Sequence, residues 1–64
     1  MDVFIEKINK KKTISFEGTA TELLNTLNIN SETVLVVKNN ELIEETEKIS
    51  NEDSVKLVSV ISGG

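Results

Sequence analysis

The chain ends in Ser62-Gly63-Gly64, and two of its three glycines are its last two residues. At an average glycine usage of about 7%, a terminal pair arises by chance on the order of half a percent of the time. Such an end suits one kind of chemistry. Glycine has no Cβ, so Gly63 and Gly64 can thread a narrow channel and take whatever φ and ψ it demands. Ser62 would enter the same channel. The end also presents an unhindered carboxylate on Gly64. That group is ionised, with a pKa of about 3.3–3.7, and is a poor electrophile. Adenylation by a partner enzyme using ATP would convert it to an acyl-adenylate with a good leaving group. A sulfur donor would then give a C-terminal thiocarboxylate, and a lysine amine would give an isopeptide bond. The remaining reading is an inert, frayed end.

The rest of the inventory argues against catalysis by the chain itself. Cysteine and histidine are absent. That removes disulfides, thiolate and imidazole metal ligands, thiol nucleophiles and imidazole bases. Ser31, Ser50, Ser54, Ser59 and Ser62 therefore lack a base to activate them. Glu41, Glu44, Glu45, Glu47, Glu52 and Asp53 cluster in sequence. A calcium loop needs ligands at fixed offsets around a turn glycine, and no glycine lies between residues 19 and 62. The acids read as a solvated face. Lys10-Lys11-Lys12 reads as a solvated hairpin tip rather than an anion site. The expectation is no bound cofactor and no metal.

Charge and hydropathy narrow the partners. Seven lysines without arginine, against eleven acids, give a net charge of −4. A nucleic-acid binder is expected to show the opposite sign, with stacking aromatics. No run approaches the roughly 18 apolar residues that span a bilayer. Met1 leads straight into an alternating segment, without a basic n-region or apolar h-region. The expectation is a cytoplasmic protein, a monomer when free, with no nucleic-acid or membrane partner.

The elements that must carry the tail follow from periodicity. Sixty-four residues allow one domain. A chain of this size buries only about 60% of its unfolded surface, leaving no room for a deep cleft. Met1, Val3 and Ile5 alternate with Asp2, Phe4 and Glu6, which predicts a strand. Asn9-Lys10-Lys11-Lys12 is expected to turn, and Thr13–Glu17 to return as the second strand of a hairpin with Ile14 and Phe16 on one face. Thr19 and Glu22 form a T-x-x-E capping box. Ala20, Leu23, Leu24 and Leu27 then make one apolar stripe, predicting a helix over 20–28 that stops at Asn28. Thr33–Lys38 is a β-branched run suited to a strand apolar on both faces. Asn39-Asn40 is a two-residue turn into a short strand, Glu41–Glu44. Residues 45–54 form a polar connection with Ile49 as its apolar anchor. Val55–Ile61 is the last strand. The order β-β-α-β-β-β, with one helix to cover one sheet, is an α+β two-layer domain. It should occupy residues 1–61, with 62–64 as a flexible tail. Met1, Val3, Ile5, Ile14, Phe16, Leu23, Leu24, Leu27, Val55 and Leu57 are expected to fill its core.

At this point the chain resembles a known family. Met1–Ile5 followed by Thr13–Glu17 looks like the opening hairpin of ubiquitin-like β-grasp proteins. Val34–Ile43, an apolar run with an Asn turn and a short strand, resembles the centre of the ThiS/MoaD-type sulfur carriers. Asn51–Val58 with Ser59–Gly64 resembles their closing strand and tail. The shortness of the chain is nearer the thiamine-pathway carriers than the longer molybdopterin-pathway ones. The resemblance implies a mixed β-grasp sheet with a helix across it, and a protein co-substrate rather than an enzyme. It implies an ATP-dependent adenylating partner, with sulfur attached at Gly64 by a donor. It also implies a downstream synthase that accepts the sulfur in thiamine, molybdopterin or tRNA-thiolation chemistry. A ubiquitin-like modifier, joined through Gly64 to lysines of other proteins, is the alternative use of the same end. Such carriers dock through apolar residues on the sheet face away from the helix. Here the candidates are Phe4, Val58, Val60 and Val36, or the neighbours of Val36 in that doubly apolar strand.

Overall fold

A computed structural model of the chain describes residues 1–60. The elements in order are β1 (Asp2–Ile5), β2 (Lys10–Thr13), β3 (Gly18–Thr19), helix α1 (Ala20–Thr26), β4 (Val34–Lys38), β5 (Glu41–Ile43), β6 (Lys48–Ile49) and β7 (Ser54–Ser59). The first and last strands lie side by side and parallel, with Asp2 opposite Ser54 and Ile5 opposite Leu57. Parallel neighbours cannot be joined by a tight turn. The helix and the remaining strands therefore form one long crossover between them. The main sheet runs β2-β1-β7-β4-β5, with every pairing except β1–β7 antiparallel. β3 and β6 form a separate two-stranded ladder.

Alternation along the strands defines a buried face. Val3, Ile5, Val34, Val36, Val55 and Leu57 point to the helix side and are buried with Ala20, Leu23, Leu24 and Ile49. Met1, Ile14, Phe16, Leu27, Ile29 and Ile43 pack around this cluster. All ten expected core residues are thus in or against the core. Ile49, the one apolar residue of its connection, is fully buried and pins that segment down.

The helix forms where its local signals place it. The Glu22 N–H donates to Thr19 Oγ1 at 3.2 Å, and the Thr19 N–H donates to Glu22 Oε1 at 2.9 Å. The capping box is therefore closed in both directions. The helix is shorter than the expected 20–28. Asn28 adopts a left-handed φ of 59°, and the chain closes a Schellman motif. In it Ile29 N–H donates to Leu24 O at 2.8 Å and Asn28 N–H to Asn25 O at 3.1 Å. Ala20 and Thr21 donate to the carbonyls of Glu47 and Glu45 at 3.0 and 2.9 Å. The acidic connection thus ties the start of the helix through its backbone.

Two expectations need correction. The opening turn is a 3₁₀ turn at Glu6–Ile8, closed by Asn9 with a left-handed φ of 51°. Lys10-Lys11-Lys12 therefore belongs to β2, an exposed edge strand, and not to the hairpin tip. Asparagine tolerates positive φ, so the turn closes earlier than the lysine run suggests. Residues 14–17 continue past β2 in extended contact with the core, and Phe16 N–H donates to Asn51 Oδ1 at 3.0 Å. The run Val34–Val37 is not buried on both faces. Among the described residues no layer covers the second face, and Leu35 is exposed while Val34 and Val36 are buried. The Asn39-Asn40 turn is as expected, with φ of 50° and 70°. Asn39 also receives the Ser54 N–H at 3.0 Å and donates to Asp53 Oδ1 at 2.9 Å. The Ser50 N–H and the Asn39 amide hold the Asp53 carboxyl below the usual carboxylate range.

Gly18 leads into the cap with φ +154°, and a Cβ there would lie 2.7 Å from Glu22 Oε1 and 3.0 Å from the Phe16 ring. Gly18→Ala should therefore displace the capping carboxylate and destabilise the domain by about 1–2 kcal/mol. In a domain this small that lowers the melting temperature by roughly 4–16 °C, readable by circular dichroism.

Candidate functional site

Ser62, Gly63 and Gly64, together with Ile61, lie outside the described residues. The structure does describe the strand end to which they are joined. Parallel pairing with β1 stops at Leu57, while pairing with β4 carries on to Ser59 opposite Val34. One residue further, Val60 N–H donates to Thr33 O at 2.8 Å. On the β1 side the Ser59 N–H donates to the Glu6 carboxylate at 3.1 Å. The last described backbone amides are therefore held from both flanks.

The second feature is the sheet face turned away from the helix. Register places Lys11, Phe4, Lys56, Val37 and Leu42 in one row across all five strands. Val58 and Leu35 sit opposite each other on the same face, nearer the tail. Leu42, Leu35 and Val60 are 65%, 46% and 40% exposed. Phe4, Val37 and Val58 are half-buried. A shallow depression lined by Phe4, Val37, Asn39, Asn40 and Ser54 opens on this face. Lys11, paired to Asp2 at 3.7 Å, puts charge at one margin, while Lys56 stands in the middle of the row, on the central strand between Phe4 and Val37.

Three of the four expected docking residues are turned outward: Phe4 and Val58 on the outer face, and Val60 exposed beyond the strand end. Val36 is not. It is 4% exposed and faces the core opposite Leu57 and Ile43. Its neighbours Leu35 and Val37, with Leu42 across the turn, take the outward positions. Sequence reasoning left the choice between Val36 and its neighbours Leu35 and Val37 open, and it missed Leu42. An unbroken apolar run carries no alternation from which to choose a face. The Asn39-Asn40 turn dictates that Val37 meets Leu42 and Val36 meets Ile43, but not which pair is inside.

The acidic stretch does not assemble a cation site. Glu47 is drawn to Lys38 at 2.9 Å, and holds that ammonium above the usual lysine range. Asp53 is engaged in its turn. Among the described residues no group of three or more acids gathers at metal-binding distance. Among the same residues, no helix is long and apolar enough to cross a membrane.

One helix packed on a mixed five-stranded sheet, with parallel terminal strands at its centre, is the β-grasp fold. Residues 4–64 match the model of the ThiS family, so the chain belongs to that family. It is similar to the crystal structure of a thiamine biosynthesis protein (ThiS) from Geobacter metallireducens, at 25% identity and a TM-score of 0.66 over 100% of both chains. It is also similar in fold to a solution structure of a thiamine biosynthesis protein from the same organism, at 22% identity and a TM-score of 0.60. That match covers 100% of this chain and 88% of the other. A comparison with curated protein sequences finds no match.

The two faces of β4 should separate under mutation. Val36→Ala removes buried methyl groups and should cost about 1–3 kcal/mol in a urea titration. Leu35→Ala should stay within about 0.5 kcal/mol of the parent. The reverse order would mean that β4 is shifted by one residue.

Proposed function

We propose that this chain is a sulfur carrier of thiamine biosynthesis, a protein co-substrate rather than an enzyme, acting through the carboxylate of Gly64. The observation that carries the reading is the family match, which runs from residue 4 through the terminal Gly63-Gly64. An ATP-dependent adenylating enzyme is the first partner. A carboxylate oxygen of Gly64 attacks the α-phosphorus of ATP, the bond to the β-phosphate oxygen breaks, and pyrophosphate leaves. The acyl-adenylate then accepts a sulfur nucleophile at the hydrosulfide level. AMP departs with the bonding pair, and a thiocarboxylate remains. A downstream sulfur-accepting synthase is the last partner. ATP is bound by the activating enzyme and not by this chain. The reaction is placed in the cytoplasm.

Each part of the chain has a separate task in this scheme. Ser62, Gly63 and Gly64 enter the partner's channel, where side chains beyond a hydroxymethyl would obstruct passage. Phe4, Val58 and Val60, with Leu35, Val37 and Leu42 in place of Val36, supply the docking face. Apolar side chains gathered on one open sheet face offer a partner the apolar contact of a protein interface, with Lys56 among them as a fixed charge to be matched. This face is remote in chemistry from the tail, so the two can be tested apart.

Intact mass of the protein recovered from its own cell should show a species in which one oxygen is replaced by sulfur. Lysine-linked Gly-Gly remnants on other proteins would instead identify a modifier, and neither species would identify an inert tail. Deletion of Gly64 should abolish ATP–pyrophosphate exchange by the cognate adenylating enzyme without altering the melting temperature. Phe4→Ala should leave the fold intact and raise the KM for the carrier about tenfold, as loss of one interface anchor of about 1–2 kcal/mol requires. Normal activation after Gly64 deletion would overturn both the carrier and the modifier readings.

A further inference from the structure

β7 outlasts its central neighbour. The β1–β7 ladder ends with Ile5 opposite Leu57, and the chain then leaves the sheet in the 3₁₀ turn Glu6–Ile8. β7 runs on to Ser59. Beyond Leu57 it would face no backbone acceptor on the β1 side. The first residue of the turn supplies one from its side chain. Glu6 Oε1 accepts the Ser59 N–H at 3.1 Å, a contact spanning 53 residues of sequence. Among the described residues this is the one side-chain hydrogen bond to the last three residues of β7 and to Val60. Glu6 is exposed, and its alternative is full hydration. A carboxylate accepting a backbone N–H nonetheless makes one of the stronger classes of hydrogen bond.

The position of this contact gives it consequence. From Val60 to Gly64 the chain has four steps, reaching at most roughly 14 Å when extended. Two of those residues are glycines, the least self-guiding of all. Before the partner's channel takes over, the direction in which the tail sets out is fixed by the residues at its root. Thr33 O holds the Val60 N–H from the β4 side, and Glu6 holds the neighbouring amide from the β1 side.

We propose that Glu6 is a positioning residue for the chemistry at Gly64. It clamps the end of β7 so that the tail starts from one direction, and less orientational freedom is lost when the carboxylate meets the nucleotide. The inference rests on the carrier reading above. Glu6 touches neither ATP nor the terminal carboxylate in this role. Misplacement of a reacting group by about 1 Å can reduce a rate by about a hundredfold, so loosening one of two clamps should have a measurable effect. The loss should fall on kcat, because the docking face on the open sheet is unchanged.

The experiment compares Glu6→Ala and Glu6→Gln with the parent chain. Gln retains a carbonyl acceptor of similar reach without the charge. Amide exchange at Ser59 is followed by NMR, and ATP–pyrophosphate exchange by the adenylating enzyme of the same cell is resolved into kcat and KM. Glu6→Ala should speed Ser59 exchange by about tenfold and leave the melting temperature within a few degrees. It should lower kcat by roughly five- to thirtyfold, with KM for the carrier changed less than about twofold. Glu6→Gln should recover most of both effects. Parent-like Ser59 exchange in Glu6→Ala overturns the clamp, and parent-like kcat overturns its role. A change confined to KM makes Glu6 a docking residue and also overturns the proposal. If the parent chain itself supports no exchange, the carrier reading fails and takes the role of Glu6 with it. An active parent with an equally active Glu6→Ala overturns the role alone.

Discussion

Parallel pairing of the first and last strands is the constraint on which the rest of the molecule depends. It sets Val3 beside Val55 and Ile5 beside Leu57, four buried side chains at the middle of the sheet. It makes the C-terminal strand a central one, flanked by β1 and β4. A tail joined to an edge strand would begin from the most easily frayed part of a sheet. Here it begins at the end of a central strand, with the amides of Ser59 and Val60 held by the Glu6 side chain and the Thr33 carbonyl. The crossover demanded by a parallel pair also brings the helix over the buried face, and among the described residues nothing covers the opposite one.

That division explains how so small a chain can be of use. A domain of this size has apolar residues enough for one core and none for an enclosed pocket. In the proposed scheme its reactive group is outside the domain, on the tail. The work of activating that group belongs, in the proposed scheme, to the partner. What remains for the fold is to present a tail from a firm root and a surface to be recognised. Leu35, Val37, Leu42, Phe4 and Val58 share that surface because strand alternation leaves them no place in the core.

The charged residues are arranged less for chemistry than for shape. Glu45 and Glu47 serve the helix start through their carbonyls while Glu47 holds Lys38 with its carboxylate. Asp53 and Asn39 knit two turns together beside the start of β7. The lysines of β2 line one outer edge of the sheet, where charge discourages pairing with another chain. At the opposite edge β5 is only three residues long and begins with Glu41, a second way of limiting such contact. The net charge of −4 is thus an average over a basic edge and an acidic connection.

Much of this was legible residue by residue. The capping box of Thr19 and Glu22, the helix stop at Asn28, the Asn39-Asn40 turn and the Ile49 anchor all follow from local rules. Those rules act within four or five residues, and no distant contact contradicts them. The proposed reactive end rests on sequence alone, since it needs only the chemistry of two glycines and a carboxylate, and it lies outside the described residues. Three things were decided elsewhere. The place of the first turn depended on where β1 leaves β7, and so on residues some fifty positions apart. The inward face of β4 depended on where the helix lies, because Val34, Leu35, Val36 and Val37 are too alike to choose for themselves. The contact of Glu6 with Ser59 exists only because two strands of unequal length end at different heights. Local sequence determines which turns and caps can form. Which of two equally apolar faces is buried, and which side chain completes an unfinished ladder, is settled only when distant segments compete for the same space.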